Sequence, residues 1–225
     1  MSAAGPHRVS VKICGLTHPD DVAAAVDAGA DRLGFVMGYP LPVPWELDIP
    51  RALALMELAG DRERVAVVGG TADAIIRIVG ETGVDLAQLH GDEPPDVVEA
   101  VADTGVRVVK ALRAEVGRPV GAAEEWVALA RTFIDAGASE ILLDSRSADR
   151  PAGTGEVFNW YVAHEVVEHL DVPVILAGGL HPGNVVEAIA TVRPAGVDVI
   201  SGVAGVGDRK DPDLIRAFVA ATRNA

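Results

Sequence analysis

The chain has little cysteine, lysine or aromatic character, and each shortage excludes something. Its single cysteine cannot form an internal disulfide, so a reducing cytoplasm is the expected compartment. No apolar run approaches the roughly 20 residues that a membrane-spanning helix needs. The first eight residues also lack the apolar stretch of a signal peptide. These absences predict a cytoplasmic chain that has no membrane partner.

Positive charge is scarce as well. The 33 acidic side chains outnumber the 19 basic ones, which gives a formal charge of −14, and only three residues are lysines: Lys12, Lys110 and Lys210. A surface of this sign disfavours nucleic acid as a partner. High-salt adaptation and GC-rich coding both produce such a composition, and the sequence leaves the two open. With 49% hydrophobic and 4% aromatic residues, the expected core consists of Val, Ile, Leu and Ala.

Short runs of Val, Ile and Leu alternate with segments of helical periodicity along the whole chain. This is the pattern of βα units around a parallel sheet. The predicted strands are residues 9–14, 32–37, 65–68, 86–89, 107–112, 141–144, 174–177 and 197–200. Eight units predict a single α/β domain, a (β/α)8 TIM barrel over residues 1–225. The alternative, an open doubly wound sheet, usually carries a G-x-G-x-x-G fingerprint that is missing after Cys14.

Start and stop signals for helices lie between the predicted strands. Thr17, Thr71 and Asp211 are candidate N-caps, and prolines stand in the first turns that follow Thr17 and Asp211. Four helical segments end on a glycine before the next strand, which is a weak internal repeat: Gly29, Gly83, Gly105 and Gly137.

Two side chains with acid–base chemistry close predicted strands, at the end of a barrel where active sites are found. Cys14 precedes a predicted helix, whose amino terminus can help a thiol to ionise. Asp144 follows three apolar residues, and burial there favours the protonated form of a carboxyl group. The ordinary interpretations are a core cysteine and a loop-capping aspartate. On different strands, the two residues can transfer protons on two sides of one substrate.

Glycine-bearing segments follow predicted strands six, seven and eight, where barrels often bind phosphate through backbone amides. The candidate phosphate ligands are Gly155, Gly178, Gly179, Ser201 and Gly202.

Four further polar residues lie in or at the ends of strands and are predicted substrate contacts: Lys12, Gln88, His90 and Lys110. A packing role is the more common one for a single histidine such as His90. Lys110 offers a different chemistry, because some barrel aldolases form a Schiff base on a lysine. The sequence has no HxH, HExxH or paired-cysteine spacing, so no metal site is predicted.

Taken together, these motifs resemble the phosphoribosylanthranilate isomerase family of tryptophan biosynthesis. The resemblance runs from Val11 to Phe218. It is carried by Lys12-Ile13-Cys14-Gly15-Leu16-Thr17, Gln88-Leu89-His90-Gly91, Leu142-Leu143-Asp144-Ser145, Gly153-Thr154-Gly155, Ala177-Gly178-Gly179-Leu180 and Asp198-Val199-Ile200-Ser201-Gly202-Val203.

The resemblance implies an aldose–ketose isomerase, which performs an Amadori rearrangement of a phosphoribosyl aromatic amine. By this likeness Asp144 is the general acid that protonates the ribose ring oxygen, and Cys14 is the base that removes the C2 proton. The phosphosugar is the only small-molecule partner implied, and no cofactor is needed because the substrate's iminium accepts the electrons. The sequence leaves monomer and homodimer open.

Two segments depart from the family pattern. The loop after the second strand lacks the arginine that addresses the anthranilate carboxylate, and Ala204 stands where the family has glutamate after Ser201-Gly202-Val203. A paralogue that acts on another phosphoribosyl amine is therefore an alternative. Trp45, in the altered loop, can stack on an aromatic aglycone or pack on its neighbours.

Overall fold

Eight parallel strands form a closed barrel in chain order in the computed structural model, with the last strand paired to the first. The structure describes residues 8–115, 121–146, 159–207 and 209–225. The strands are β1 Ser10–Ile13, β2 Arg32–Val36, β3 Glu63–Val68, β4 Leu86–Leu89, β5 Arg107–Glu115, β6 Glu140–Arg146, β7 Val174–Leu176 and β8 Gly196–Val199. The predicted TIM-barrel fold is confirmed.

A helix follows each strand and covers the outside of the barrel. The helices are α1 Pro19–Ala28, α2 Ile49–Met56, α3 Ala72–Thr82, α4 Pro95–Ala102, α5 Ala123–Asp135, α6 Trp160–His169, α7 Val185–Val192 and α8 Pro212–Arg223. Short 3-10 turns lie at Glu57–Ala59 and Ser201–Val203. Within the described ranges, no helix has the length and apolarity that a bilayer crossing requires.

The helix signals are correct at most positions. The Thr71 and Asp211 side chains accept hydrogen bonds from the first-turn amides of α3 and α8. The four glycines that end helical segments all have positive φ angles, between 59° and 99°. The prediction for Thr17 is wrong, because Pro19 is the first residue of α1 and the N-cap position therefore falls on His18.

Strands β5 and β6 are longer than predicted and pair through Glu115 and Arg146. The sequence did not reveal the extension, because the apolar runs stop at Leu112 and Leu143 and polar residues follow them. The two strands rise above the others at one side of the barrel mouth.

Alternate residues of each strand face the barrel interior or the helices. The interior layer is small and aliphatic: Val65, Leu86, Val109, Ala111, Leu142, Ile175 and Ala177. A larger cluster fills the space between sheet and helices, with Phe35 and Phe218 among its fully buried members. The sequence prediction of an aliphatic core is confirmed.

Charged side chains close the amino-terminal end of the barrel. The Arg32 guanidinium donates to both oxygens of Glu140, at 2.6 and 2.8 Å, and to Glu63 at 2.7 Å. Arg107 donates to the other oxygen of Glu63 at 2.6 Å. This network links strands β2, β3, β5 and β6, and the hydrogen bonds to Glu140 raise the pKa of Arg32 although burial opposes them.

Candidate active site

A pocket of about 590 Å³ opens at the carboxyl ends of the strands. Seven of the predicted site residues line it together: Cys14, Gln88, His90, Asp144, Gly178, Gly179 and Ser201. Its remaining described walls are Val36, Tyr39, Val43, Trp45, Val67, Ala177, Leu180, Asp198, Val199 and Ile200. The residues predicted for proton transfer and two of the predicted phosphate loops therefore share one cavity.

Cys14 lies on the wall where the first strand meets the last. It directly follows β1, its backbone N–H donates to Val199 O at 2.9 Å, and its side chain is buried. Lys12, two residues earlier on the same face, brings its ammonium close to the Cys14 sulfur and donates to Asp198 Oδ2 at 2.9 Å. Asp198 reaches the pocket from β8, so a carboxylate, an ammonium and a thiol form one buried row.

The space for this row depends on Gly34 in β2. A Cβ atom at position 34 would lie 2.8 Å from the Cys14 sulfur and 3.0 Å from Lys12 Nζ. Gly34 has no positive φ angle, so glycine is required here for space and not for backbone conformation.

Burial raises the pKa of the Cys14 thiol, and the charge of Asp198 adds to the rise. The ammonium groups of Lys12 and Lys210 oppose it. Burial also opposes the charged form of Lys12, but Asp198 and Cys14 outweigh this and raise the pKa of Lys12. Lys210 donates to Ile200 O at 2.8 Å, and burial lowers its pKa to about 8.

Asp144 lies on another wall of the pocket, two residues before the end of β6, beside His90, which directly follows β4. Its Oδ2 is 3.2 Å from His90 Nε2, while Gln88 Nε2 is 3.0 Å from His90 Nδ1. Because an amide NH2 group only donates, Nδ1 accepts, and the neutral ring carries its hydrogen on Nε2, which faces Asp144. Gln88 thereby fixes both the ring orientation and the tautomer.

The loop after β2 provides the aromatic part of the pocket. Tyr39 donates to His90 O at 3.4 Å and accepts from Arg113 Nη1 at 3.3 Å. Burial raises the pKa of the Tyr39 hydroxyl. Trp45 packs with Cys14 and Val36, and its ring centroid is 5.9 Å from Lys210 Nζ.

The predicted phosphate ligands lie at the ends of β7 and β8. Gly178 and Gly179 have φ angles of 82° and 64°, and in the described part of the chain their N–H groups donate to no backbone carbonyl. Asn184 fixes this turn by donating to Gly179 O at 3.0 Å. Ser201 begins the 3-10 turn on the neighbouring wall.

Gly202 is a close-packing residue beneath this wall. A Cβ atom there would lie 1.8 Å from Leu180 O, so the β7 and β8 loops touch through backbone. Gly202 is not among the described pocket-lining residues. The predicted ligand Gly155 lies outside the described residues.

Two predicted substrate contacts do not line the pocket. Lys12 lies below it and reaches it only through Cys14 and Asp198. Lys110 faces the helices, because its neighbours Val109 and Ala111 face the barrel interior. Its ammonium is bound by Glu93 Oε2 at 2.7 Å and Gly91 O at 2.8 Å. The expectation that Lys110 contacts substrate is therefore corrected.

Sequence reasoning missed several residues that shape the site. Asp198 was visible as an acidic residue inside an apolar strand, and Tyr39 as an aromatic residue in the loop after β2. Glu93 gave no signal, since it lies in an ordinary polar loop.

The family model for N-(5'phosphoribosyl)anthranilate (PRA) isomerase matches residues 11–221 of this chain. The chain belongs to this family. The family named from the sequence motifs is therefore confirmed.

Relatives of the PRA isomerase family match over nearly the full length. The N-(5'-phosphoribosyl)anthranilate isomerase of Haloferax volcanii is 40% identical over 220 residues, which cover 96% of this chain and 93% of that protein. The enzyme of the same name from Methanopyrus kandleri is 39% identical over 96% and 99% of the two chains.

Solved PRA isomerase structures agree with the fold. That from Thermotoga maritima superposes with a TM-score of 0.81 at 30% identity, over 96% of this chain and 100% of that chain. Another PRA isomerase structure, in complex with reduced 1-(o-carboxyphenylamino)-1-deoxyribulose 5-phosphate, gives 0.78 at 30% identity, over 96% and 100% of the two chains.

Proposed function

We propose that this chain catalyses the Amadori rearrangement of N-(5-phosphoribosyl)anthranilate to 1-(2-carboxyphenylamino)-1-deoxyribulose 5-phosphate, a step of tryptophan biosynthesis. Membership of the PRA isomerase family supports the reaction. The observation that carries it is the presence of Cys14 and Asp144 on different walls of one pocket, next to glycine turns.

Asp144 is the general acid in this proposal. It gives a proton to the ribose ring oxygen while the bond from that oxygen to C1 breaks, and the nitrogen lone pair forms the C1=N iminium. With its hydrogen on Nε2, 3.2 Å from Asp144 Oδ2, the neutral His90 ring stabilises the carboxylate that is left after this transfer. Gln88 keeps the ring turned toward Asp144.

Cys14 is the general base. Its thiolate takes the C2 proton, the C2–H electron pair forms a C1=C2 bond, and the iminium π electrons move to nitrogen. The enolamine then gives its O2 proton to solvent and takes a proton from solvent at C1, which yields the ketone. Cys14 releases the C2 proton to solvent and Asp144 takes one back, so both groups return to their starting states. Substrate and product are isomers, so the protons balance and the chemistry needs no external oxidant, reductant or cofactor.

In this proposal the substrate phosphate binds at the glycine turns that follow β7 and β8. The backbone N–H groups of Gly178 and Gly179 donate to no backbone carbonyl among the described residues, which supports an anion site, and Ser201 adds a hydroxyl on the adjoining wall. Gly155 is retained as a ligand from the family resemblance. Gly202 acts indirectly, by letting the two loops approach each other.

The aldolase alternative has little support. A Schiff-base lysine must reach a substrate carbonyl, and Lys110 is buried against Glu93 outside the pocket. The proposal therefore predicts no borohydride-trapped adduct.

The decisive experiment follows the fluorescence of phosphoribosylanthranilate with the purified protein. We expect turnover by the wild type, and a loss of about 100-fold or more in kcat for Cys14→Ser and for Asp144→Asn. Asp61→Asn, which changes an exposed carboxylate far from any pocket residue, is the matched control and should keep full activity. Wild-type turnover that both pocket variants leave unchanged would refute the roles given to these residues.

A second candidate substrate is a phosphoribosyl aryl amine without the carboxylate. None of the described residues that line the pocket is an arginine, and Arg51 is bound to Thr17 O at 2.8 Å. Trp45, Val36 and Val43 instead give an apolar wall. Comparing kcat/KM for phosphoribosylanthranilate and phosphoribosylaniline separates the two: a preference for the aniline compound supports the second substrate, and a preference of about tenfold or more for anthranilate contradicts it.

A further inference from the structure

Beneath the candidate base lies a second buried lysine–carboxylate pair that the reaction steps above do not use. Lys12 Nζ is 2.9 Å from Asp198 Oδ2, and their side chains are 4% and 8% exposed. The same ammonium lies close to the Cys14 sulfur, because both atoms are within 3.0 Å of the point that a Cβ atom at position 34 would occupy. Among the described residues the other oxygen of Asp198, Oδ1, has no hydrogen-bond partner.

Burial at this position opposes ionisation of the Cys14 thiol. Water cannot solvate a thiolate there, and the nearby Asp198 carboxylate repels it. A base on this wall therefore requires a positive charge in contact with the sulfur. Lys12 is that charge, and Lys210 adds a weaker one from the β8 side.

We propose that Lys12 is a positioning residue for proton abstraction: its ammonium, anchored by Asp198 and accommodated by Gly34, makes a thiolate at Cys14 accessible inside the pocket. The inference rests on the proposed role of Cys14 as the base. Lys12 itself does not touch the substrate, because it lies below the pocket floor.

The charges around Cys14 fit this role. Lys12 lies on β1, Asp198 on β8 and Lys210 in the segment before α8, all on the same wall as Cys14. Asp144 and His90 face Cys14 from across the pocket. With the thiolate present, the two ammonium groups balance the two anions on the Cys14 wall. When the sulfur takes the C2 proton, Lys12 stays paired with Asp198, so its charge is not left isolated in the interior.

Gly34 supports the same conclusion. A strand interior gains nothing from glycine unless another group must come close, and here the close groups are the sulfur and the ammonium. The backbone of β2 thus makes room for the contact between Lys12 and Cys14.

The test uses the fact that Cys14 is the only cysteine of the chain. Alkylation by iodoacetamide reports the thiolate fraction directly and needs no substrate. We expect Lys12→Met to slow alkylation at pH 8 by about tenfold, because losing a contacting positive charge raises a thiol pKa by about one unit. Asp198→Asn should accelerate it by about threefold, since a repelling charge is removed.

The expected changes in alkylation rate have opposite signs in Lys12→Met and Asp198→Asn, and this separates an electrostatic effect from a structural one. A loosened pocket would change both variants in the same direction, and such a result, or no change in Lys12→Met, would overturn the proposal. Lys12→Arg, which keeps the charge, should restore most of the wild-type rate. If Lys12→Met does not fold, as judged by circular dichroism, Lys12→Gln replaces it with the same expected slowing.

Lys110→Met is the matched control, because Lys110 is also a buried lysine paired to a carboxylate but lies outside the pocket. Its alkylation rate should equal that of the wild type. The kcat/KM profile of Lys12→Met should move to higher pH by the same amount as its alkylation profile. If the wild type fails to turn over phosphoribosylanthranilate, the proposed function falls, while the alkylation rates still decide the role of Lys12.

Discussion

Nε2 of His90 lies 3.2 Å from Oδ2 of Asp144, and the other ring nitrogen of His90 is held by Gln88. The neutral ring therefore presents its N–H to the carboxyl group of the candidate acid, and Gln88 holds it in that tautomer.

His90→Asn should lower kcat by about tenfold and change KM little, because Asp144 remains but its carboxylate is less well stabilised once it has given up its proton. Gln88→Leu, which frees the ring to turn, should give a smaller loss in the same direction. Steady-state kinetics measure both. A His90→Asn enzyme with wild-type kcat would show that the pair has no part in turnover.

Gly202→Ala should weaken substrate binding through the phosphate loops. The added Cβ would lie 1.8 Å from Leu180 O, so the β7 and β8 loops must move apart. We expect KM to rise by about tenfold or more, because the loss of one charge-assisted hydrogen bond costs about 1.5–3 kcal/mol. Gly80→Ala, at an open position in α3, is the control and should leave KM unchanged while stabilising the protein slightly.

Arg32→Met should destabilise the barrel by about 3 kcal/mol, because it leaves the buried Glu140 carboxylate without its bidentate partner. Urea unfolding measures the change. Arg77→Met removes an exposed pair with Glu81 and should cost about 0.5 kcal/mol or less. Equal losses of unfolding free energy in the two variants would contradict a special role for the charged network at the amino-terminal end of the barrel.

Lys210 should make stability depend on alkaline pH. Its folded pKa of about 8 lies below the ordinary 10.5, a difference of 2.5 units. The contribution of this group is fully present above pH 10.5 and is lost as pH falls toward 8, by about 3 kcal/mol in total. The unfolding free energy of the wild type minus that of Lys210→Met should therefore rise between pH 8 and 10.5. If this difference in unfolding free energy does not change with pH, folding does not lower the pKa of Lys210.

Local signals predicted the units of this fold well. Thr71 and Asp211 cap helices and the four glycines end helical segments, because each of these effects depends on a few neighbouring residues. Thr17 failed as a cap because Pro19 set the helix start one residue later.

The site was predicted where position along a strand was enough. Cys14 directly follows β1 and Asp144 lies near the carboxyl end of β6, and both line the pocket. Lys12 and Lys110 looked alike in sequence, yet one faces the interior and the other the helices. In a parallel barrel both faces of a strand are apolar, so the pattern around Lys110 does not reveal which way it points.

Contacts between strands that are distant in the chain could not be predicted from the sequence. Asp198 pairs with Lys12 across 186 residues, and this follows only from the pairing of β8 with β1. The row of Lys12, Asp198 and Cys14 could therefore be recognised only once the barrel was closed.

The pairing of β1 with β8 has a consequence for biosynthesis of the protein. The wall around the sulfur joins the first and last strands of the barrel, so a nascent chain that has not yet delivered β8 has no complete active centre, however well its earlier units have folded. Catalytic competence arrives only with residues 196–199, and products that end before β8 are expected to be inert.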